Sequence, residues 1–446
     1  MTPTRGRNAP RRQRPPSAIA VSVSIAMAVL ILLPSSAVAA FPAGSYYPII
    51  ISGGVLMLGL AASSKRLRWP PMGGWLLAFF IAVTVSTFVY STASTDQLDW
   101  FYLLIPLVAF PTFHLTYSAS PRERFGITQT LILIALTQAV LSVFEVLGRT
   151  GPILGVPFLL SPDNPFLPGY PRAQGTLGHP IVLAFVLLVA MGLVLARRTR
   201  AVARLAVAAV LLTGLAATGS TGGVLGGLVI MVFWMLVRRS PAGSIFMVIG
   251  LLIVALLAWD SGYPQAILAE ELDARNFGHR MNSISAIVPL ALGQEVVPAL
   301  FGRGLFGVSD LYTAGIVFND GFFTLDNQFV SVLAQAGIIG LVLFVVTVGG
   351  LTARMARNGH RRYLPGWLGL IVAMGMTFDF MSWYVAATLF LIYAAIAVAP
   401  NSADEKEDHL RGTPSADDAV ASAAHPHIKP GTSPHRSTLP ATVSFS

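Results

Sequence analysis

The chain has 446 residues, of which 54% are hydrophobic and only 11% charged, less than half the roughly 25% charged content of soluble domains. That excludes a soluble globular protein, and at about 20 residues per membrane-spanning helix the apolar content supplies roughly 12 spans. The formal net charge of +9 is read by position rather than as a nucleic-acid surface, and the absence of cysteine excludes disulfides, thiolate catalysis and cysteine metal sites.

Apolar segments are predicted at residues 17–35, 46–62, 72–90, 98–117, 125–148, 179–196, 201–219, 222–237, 244–259, 327–351, 363–379 and 381–399. The fold class this implies is an all-α polytopic membrane protein of about 12 transmembrane helices. The first segment follows a basic tail, residues 1–16, and ends near Ala37-Val38-Ala39, which resembles a secretory signal peptide. Its apolar stretch is longer than a usual signal core, so it is read as a retained helix.

Basic residues set the orientation. With a cytoplasmic N-terminus, one side receives Arg5, Arg7, Arg11, Arg12 and Arg14, then Lys65, Arg66 and Arg68, then Arg122 and Arg124. The same side continues with Arg197, Arg198, Arg200 and Arg204, with Arg238 and Arg239, with Arg354, Arg357, Arg361 and Arg362, and with the tail, which makes 24 of the 29 basic residues. The other side receives only Arg149, Arg172, Arg275, Arg280 and Arg303. This is the asymmetry of the positive-inside rule, so both termini are expected in the cytoplasm and the protein in the cell's plasma or inner membrane.

Two outward connections are long: 149–178, rich in Pro and Gly, and 260–326, a large extracytoplasmic loop between helices 9 and 10. Loops of that length usually carry function. Within the larger one, 284–301 is apolar but interrupted by Pro289, Gly293 and Pro298, which fits helices lying at the interface better than a further span. Residues 17–400 are therefore read as one transmembrane domain, and 401–446, rich in Ala, Ser, Pro and His, as a disordered cytoplasmic tail. No internal repeat relates the two halves, and only Arg197-Arg198-Thr199-Arg200 links helices six and seven. Both points argue against a transporter of two repeated bundles.

Charged residues in or beside a bilayer are costly and usually functional. The candidates are Glu145 near the outer end of helix five, Asp326 at the start of helix ten and Asp379 at the outer turn between helices eleven and twelve. Asp379 is equally a helix cap, and His114 is read as a packing or snorkelling residue. Glu145 and Asp379 lie on the side where the long loops emerge, which points to a shared extracytoplasmic cavity. Arg172, Arg280 and Arg303 stand on that same side, and guanidinium groups bind phosphate through paired, charge-assisted hydrogen bonds. The link 218–223 is glycine-rich but lacks the lysine of a nucleotide-binding loop. No carboxylate cluster or His pair stands at metal-ligand spacing, so no metal or other cofactor is expected.

In order and sidedness these features resemble the O-antigen ligase and O-antigen polymerase superfamily over most of helices five to ten. The resembling motifs are Gly175-Thr176-Leu177-Gly178-His179-Pro180 opening helix six and Ser220-Thr221-Gly222 joining helices seven and eight. Arg280 and Gly302-Arg303-Gly304 follow in the large loop, then Asp326-Asn327-Gln328-Phe329 and Gly337-Ile338-Ile339-Gly340-Leu341. Two departures stand out: Thr221 occupies the place of a usual arginine, and Asp326 that of the histidine typical of ligases.

The resemblance implies a nucleotide-independent glycosyltransferase. Its donor would be a polyprenyl-diphosphate-linked oligosaccharide at the outer leaflet, and its partners a glycan or lipid acceptor, the bilayer and other polysaccharide-assembly membrane proteins. Arg280, Arg172 and Arg303 would meet the diphosphate. Asp326 would be the base, with Glu145 as the alternative, while Asn327, His179 and Ser220 would orient sugar or acceptor. Asp326 favours a polymerase over a ligase that transfers a preformed glycan. A polysaccharide transporter or flippase is the alternative from another class. A lipid-phosphate-sugar mannosyltransferase would carry acidic residues in its first outer loop, and residues 36–45 have none; a peptidoglycan polymerase would show about ten spans and a different loop signature.

Overall fold

The computed structural model describes residues 17–41, 46–91, 102–149, 152–155, 163–238, 275–305, 307–317, 325–357 and 360–400. Eleven of the twelve predicted segments coincide with helices: α1 (Ala18–Leu32), α3 (Tyr47–Ser63), α4 (Gly73–Ser91), α5 (Ile105–Ser118), α6 (Pro121–Gly148), α7 (Pro180–Ala196), α8 (Ala201–Thr218), α9 (Thr221–Arg238), α14 (Gln328–Arg357), α15 (Leu364–Gly369, continuing as a π turn to Met374) and α16 (Tyr384–Val398). A short α2 (Ser35–Ala39) follows α1. The predicted ninth segment, 244–259, and the tail 401–446 lie outside the described residues. Among the described residues, four helices, α4, α6, α8 and α14, are long and apolar enough to cross a membrane by themselves, and several shorter apolar helices accompany them.

Local chemistry sets the helix ends. At the start of α6, Ser120 and Glu123 exchange side-chain to main-chain hydrogen bonds, and Pro121 occupies the first helical position, so the freed N–H groups are satisfied where the chain is charged. At the end of α7, Arg204 from the next helix donates to the Arg197 carbonyl at 2.7 Å, which gives an arginine counted in the orientation a capping role as well.

The core is built around two helices that are apolar on every face. Val182 to Ala196 of α7 and Val385 to Val398 of α16 are buried throughout, the pattern of helices surrounded by other helices. Helix α1 belongs to this core. Its Val23, Met27 and Ile31 are sealed, it packs on α3 and α6, and after it Ser35 N donates to Thr176 O (2.8 Å) and the Ser36 hydroxyl to Leu154 O (2.9 Å). The signal-like Ala37-Val38-Ala39 thus lies in a short helix, α2, whose first residues are bonded to the 154–176 segment.

The first long outer loop departs from an all-α reading. It contains a two-stranded antiparallel hairpin, β1 (Asp163–Asn164) and β2 (Leu167–Pro171). Buried Asn164 holds it in place by donating to the carbonyls of Ala216 and Ala217, both at 3.0 Å. Those carbonyls lie in the last turn of α8, where Ala216 O also accepts from Gly219 N (3.1 Å) and Ala217 O from Ala173 N (2.9 Å), so the hairpin adds to the bonds that close that helix end.

Within the second long connection, the described residues form α10 (Arg275–Ser285), α11 (Ile287–Leu292), α12 (Val296–Phe301) and α13 (Gly307–Thr313). The apolar stretch 284–301 is interrupted between Leu292 and Val296, as the Pro and Gly pattern predicts. Ala286, Leu290, Leu311, Tyr312 and Leu325 form a small second core with Val330 and Leu333 of α14. The loop helices therefore rest on the outer end of α14.

Helix α14 is broken at Gly337, whose φ is 65° and ψ −167°. The break leaves the carbonyls of Ala334 and Gln335 without their helical donors. Arg303 N and Gly304 N supply replacements, each at 2.9 Å, and the Ser86 hydroxyl adds a third bond to Gln335 O, also at 2.9 Å. Gly302 and Gly304 also have left-handed φ; a Cβ on Gly304 would lie 2.6 Å from the Thr87 Cα. The Gly-x-Gly element is thus a clasp on a kinked helix, and only glycine fits so close a main-chain approach.

Candidate functional site

Four segments meet at one end of the bundle: the 172–179 turn before α7, the 218–223 link, the start of α14, and the 375–383 turn between α15 and α16. In the first, the half-buried Arg172 donates through Nε to Thr218 O at 3.0 Å. Its side chain covers Gly219, where a Cβ would lie 2.9 Å from Arg172 Cγ. The charge of Arg172 reaches His179, and the His179 ring lies 4.8 Å from that of Trp383. Arg172 and His179 therefore share one neighbourhood, with Trp383 an unforeseen member.

Three predicted site residues have structural duties. Glu145 is only 1% exposed. Its Oε1 accepts from Ile153 N (3.0 Å) and its Oε2 from Gln174 N (2.8 Å) and Gly175 N (2.9 Å). A carboxylate has about four acceptor positions, and main-chain donors take most of them here, so Glu145 clamps the 153–175 loop to the end of α6. Asn327, 3% exposed, accepts from Phe329 N (3.0 Å) and Val330 N (3.2 Å) and is the N-cap of α14. Ser220 accepts from Gly223 N at 3.1 Å and caps α9. Both side chains are bound to main chain as helix caps.

Arg303 donates through Nε to Gln294 Oε1 at 2.6 Å, while its main chain forms the clasp on α14. Asp326 is half-buried immediately before the Asn327 cap. Arg280 lies in α10, but its side chain is outside the described residues. His114 packs between Trp69 and Phe110, the packing role expected of it.

The densest polar cluster surrounds Asp379, and it contains neutral residues that a search for charges passes over. The Oδ2 of Asp379 accepts from the hydroxyls of Ser331 and Ser382, the latter at 2.5 Å, and from Gln335 Nε2 at 3.3 Å. Gln335 Nε2 also lies 2.8 Å from Ser331 Oγ and 3.0 Å from Ser382 Oγ. The signal for Ser331 and Gln335 is their spacing of four residues on one face of an apolar helix. Beside Gln335 opens a small apolar crevice, lined among others by Phe79, Phe80, Val83, Ile105, Leu305 and Met381. Among the described residues no three His, Asp or Glu side chains converge as metal ligands.

No curated protein matches the chain. Residues 206–345 match the family model described as O-antigen ligase. That interval runs from α8 to beyond the kink of α14 and takes in Arg280, the Arg303 clasp, Asp326 and the Ser331–Gln335 face; Glu145, Arg172, His179 and Asp379 fall outside it. Over that interval the chain is similar to O-antigen ligases.

Proposed function

We propose that the protein is a membrane glycosyltransferase that draws on a polyprenyl-diphosphate-linked oligosaccharide at the outer leaflet. It joins the reducing-end sugar to the hydroxyl of an acceptor glycan, lengthening a cell-surface polysaccharide. The anomeric carbon forms a bond to the acceptor oxygen as its bond to the phosphate oxygen breaks. The diphosphate leaves with the electron pair, and the acceptor proton passes to a base. No nucleotide is consumed, because the lipid diphosphate is the leaving group.

Such a reaction needs cations where charge develops and a base at the acceptor. Arg280, Arg303 and Arg172 are assigned to the diphosphate and Asp326 to the proton, with His179 beside Trp383 facing sugar. The observation that carries this reading is the clasp: within the family-matched interval, Arg303 is bound through its main chain to the same short piece of helix that follows Asp326. The arginine asymmetry supports cytoplasmic termini and an outward-facing site.

The test is incubation of the purified protein in nanodiscs with a lipid-linked oligosaccharide from its own source, without nucleotide. A ladder of lengthened glycans is expected. Transfer of a preformed glycan only to an added acceptor would instead make it a ligase, and movement of donor across the bilayer without bond formation would make it a transporter. Arg280→Ala is expected to abolish transfer while leaving membrane insertion intact.

A further inference from the structure

The break at Gly337 leaves Gln328–Ala336 as an outer half-helix of nine residues, shorter than the roughly 12 residues at which isolated helices become even marginal in water. Something outside it must hold it in place. The 375–383 turn does so through a run of hydrogen bonds. Gln328 N donates to Gly375 O at 2.8 Å, Met381 N donates to Gln328 Oε1 at 2.7 Å, and Asp379 collects Ser331 and Gln335 from two successive turns of the half-helix together with Ser382 from its own turn.

Among the described residues, the side-chain donors to Asp379 converge on Oδ2, while its Oδ1 is sealed from solvent and has no hydrogen-bond partner. A buried carboxylate oxygen without a donor is costly. The arrangement makes sense if Oδ2 must bind donors from two elements at once, which a single hydroxyl would do less well.

We propose that Asp379 is a positioning residue that latches the 375–383 turn to the outer half-helix of α14 and so fixes Asp326 at its mouth. The consequence for turnover rests on the transferase reading above; the latch itself does not. Without Asp379, Ser331 and Gln335 would face a buried region with their main acceptor gone, and the half-helix would shift or open locally. A shift of about 1 Å at a reacting group costs on the order of 100-fold in rate.

The chain has no cysteine, so the latch can be read without any substrate. Val330, in the first turn of the half-helix, is buried, and V330C in the full chain in nanodiscs is expected to react slowly with a membrane-impermeant maleimide. Adding D379A should raise that rate at least about tenfold, as local opening becomes more frequent. D379N keeps one oxygen for the two serines and should stay near the parent rate. V348C, farther along the same helix, should be unaffected by D379A. In the transfer assay D379A should lower kcat while the donor KM stays close to that of wild type, and D379N should restore most of the loss.

Unchanged labelling of V330C/D379A would overturn the proposal, as would equal acceleration at V348C, which would mean general loosening. Should D379A fail to insert, S331A/S382A removes the two hydroxyl bonds of the three to Asp379 and must accelerate labelling of V330C in its place. If the wild type transfers no glycan, the transferase reading fails, and the labelling arm still decides the latch.

Discussion

Glu145→Gln separates a clamp from a base. As a clamp, Glu145 binds three main-chain N–H groups of 153, 174 and 175 with both of its oxygens. The amide keeps one oxygen, enough for the pair of donors at Oε2, and turns an NH2 group toward Ile153 N in place of an acceptor. Hydrogen bonds to charged groups contribute about 1.5–3 kcal/mol each. Losing one bond outright and the charge assistance of two others therefore costs about 2–4 kcal/mol. Glu145→Ala leaves all three donors unanswered and should cost more. The assay is a thermal shift of the detergent-solubilised protein beside glycan transfer per folded molecule. E145Q should lower the melting temperature by several degrees, with turnover per folded molecule changed no more than about threefold, a barrier change of less than 1 kcal/mol. A variant that melts like wild type but has lost transfer by orders of magnitude would refute the clamp and return Glu145 to the chemistry.

Two further outcomes test the helix packing. Gly337→Ala places a Cβ at φ 65° against the main chain of Leu300 and Gly302. The backbone strain of about 1–2 kcal/mol adds to about 1 kcal/mol for each clasp bond lost, so the variant should melt earlier and expose the 302–304 segment to limited proteolysis; unchanged protease resistance would count against the clasp. Intact mass of the membrane-extracted protein should show that the residues of α1 are retained. A mature form lacking the first 39 residues would mean that the core forms without α1.

The helical layout was legible because each segment is a long apolar run between charges, and that signal survives any detail of packing. The hairpin at 163–171 was not. Its two strands are too short to declare themselves by alternation, and what holds them is Asn164 reaching the end of α8. The polar candidates divide for a similar reason. Hydropathy marks Glu145 and Asn327 as expensive, but the donors that satisfy them are main-chain N–H groups freed by turns, and no side-chain pattern announces those. Conversely, Ser331 and Gln335 carry no charge and sit in an apolar helix, so their part in the Asp379 cluster appears only when the 375–383 turn is folded against them. The Gly-x-Gly motif was visible as a motif, whereas its physical task depends on the broken carbonyl ladder at Gly337.

The outer half-helix of α14 is held from three directions: by its Asn327 cap, by the 302–304 clasp at the kink, and by the 375–383 turn along one side. Alternating access requires an element that exchanges between two arrangements with little difference in free energy. A piece of helix whose polar groups are bound to three separate segments has few such alternatives, because each move would strand several buried donors and acceptors. Group transfer asks for the opposite property, charges and a base fixed in advance where they will act. Arg303 and Asp326 lie at the two ends of this held segment, so a change in the clasp should displace both together. That coupling favours transfer over transport, and it predicts that losses from G337A and from D326N will combine to less than their sum.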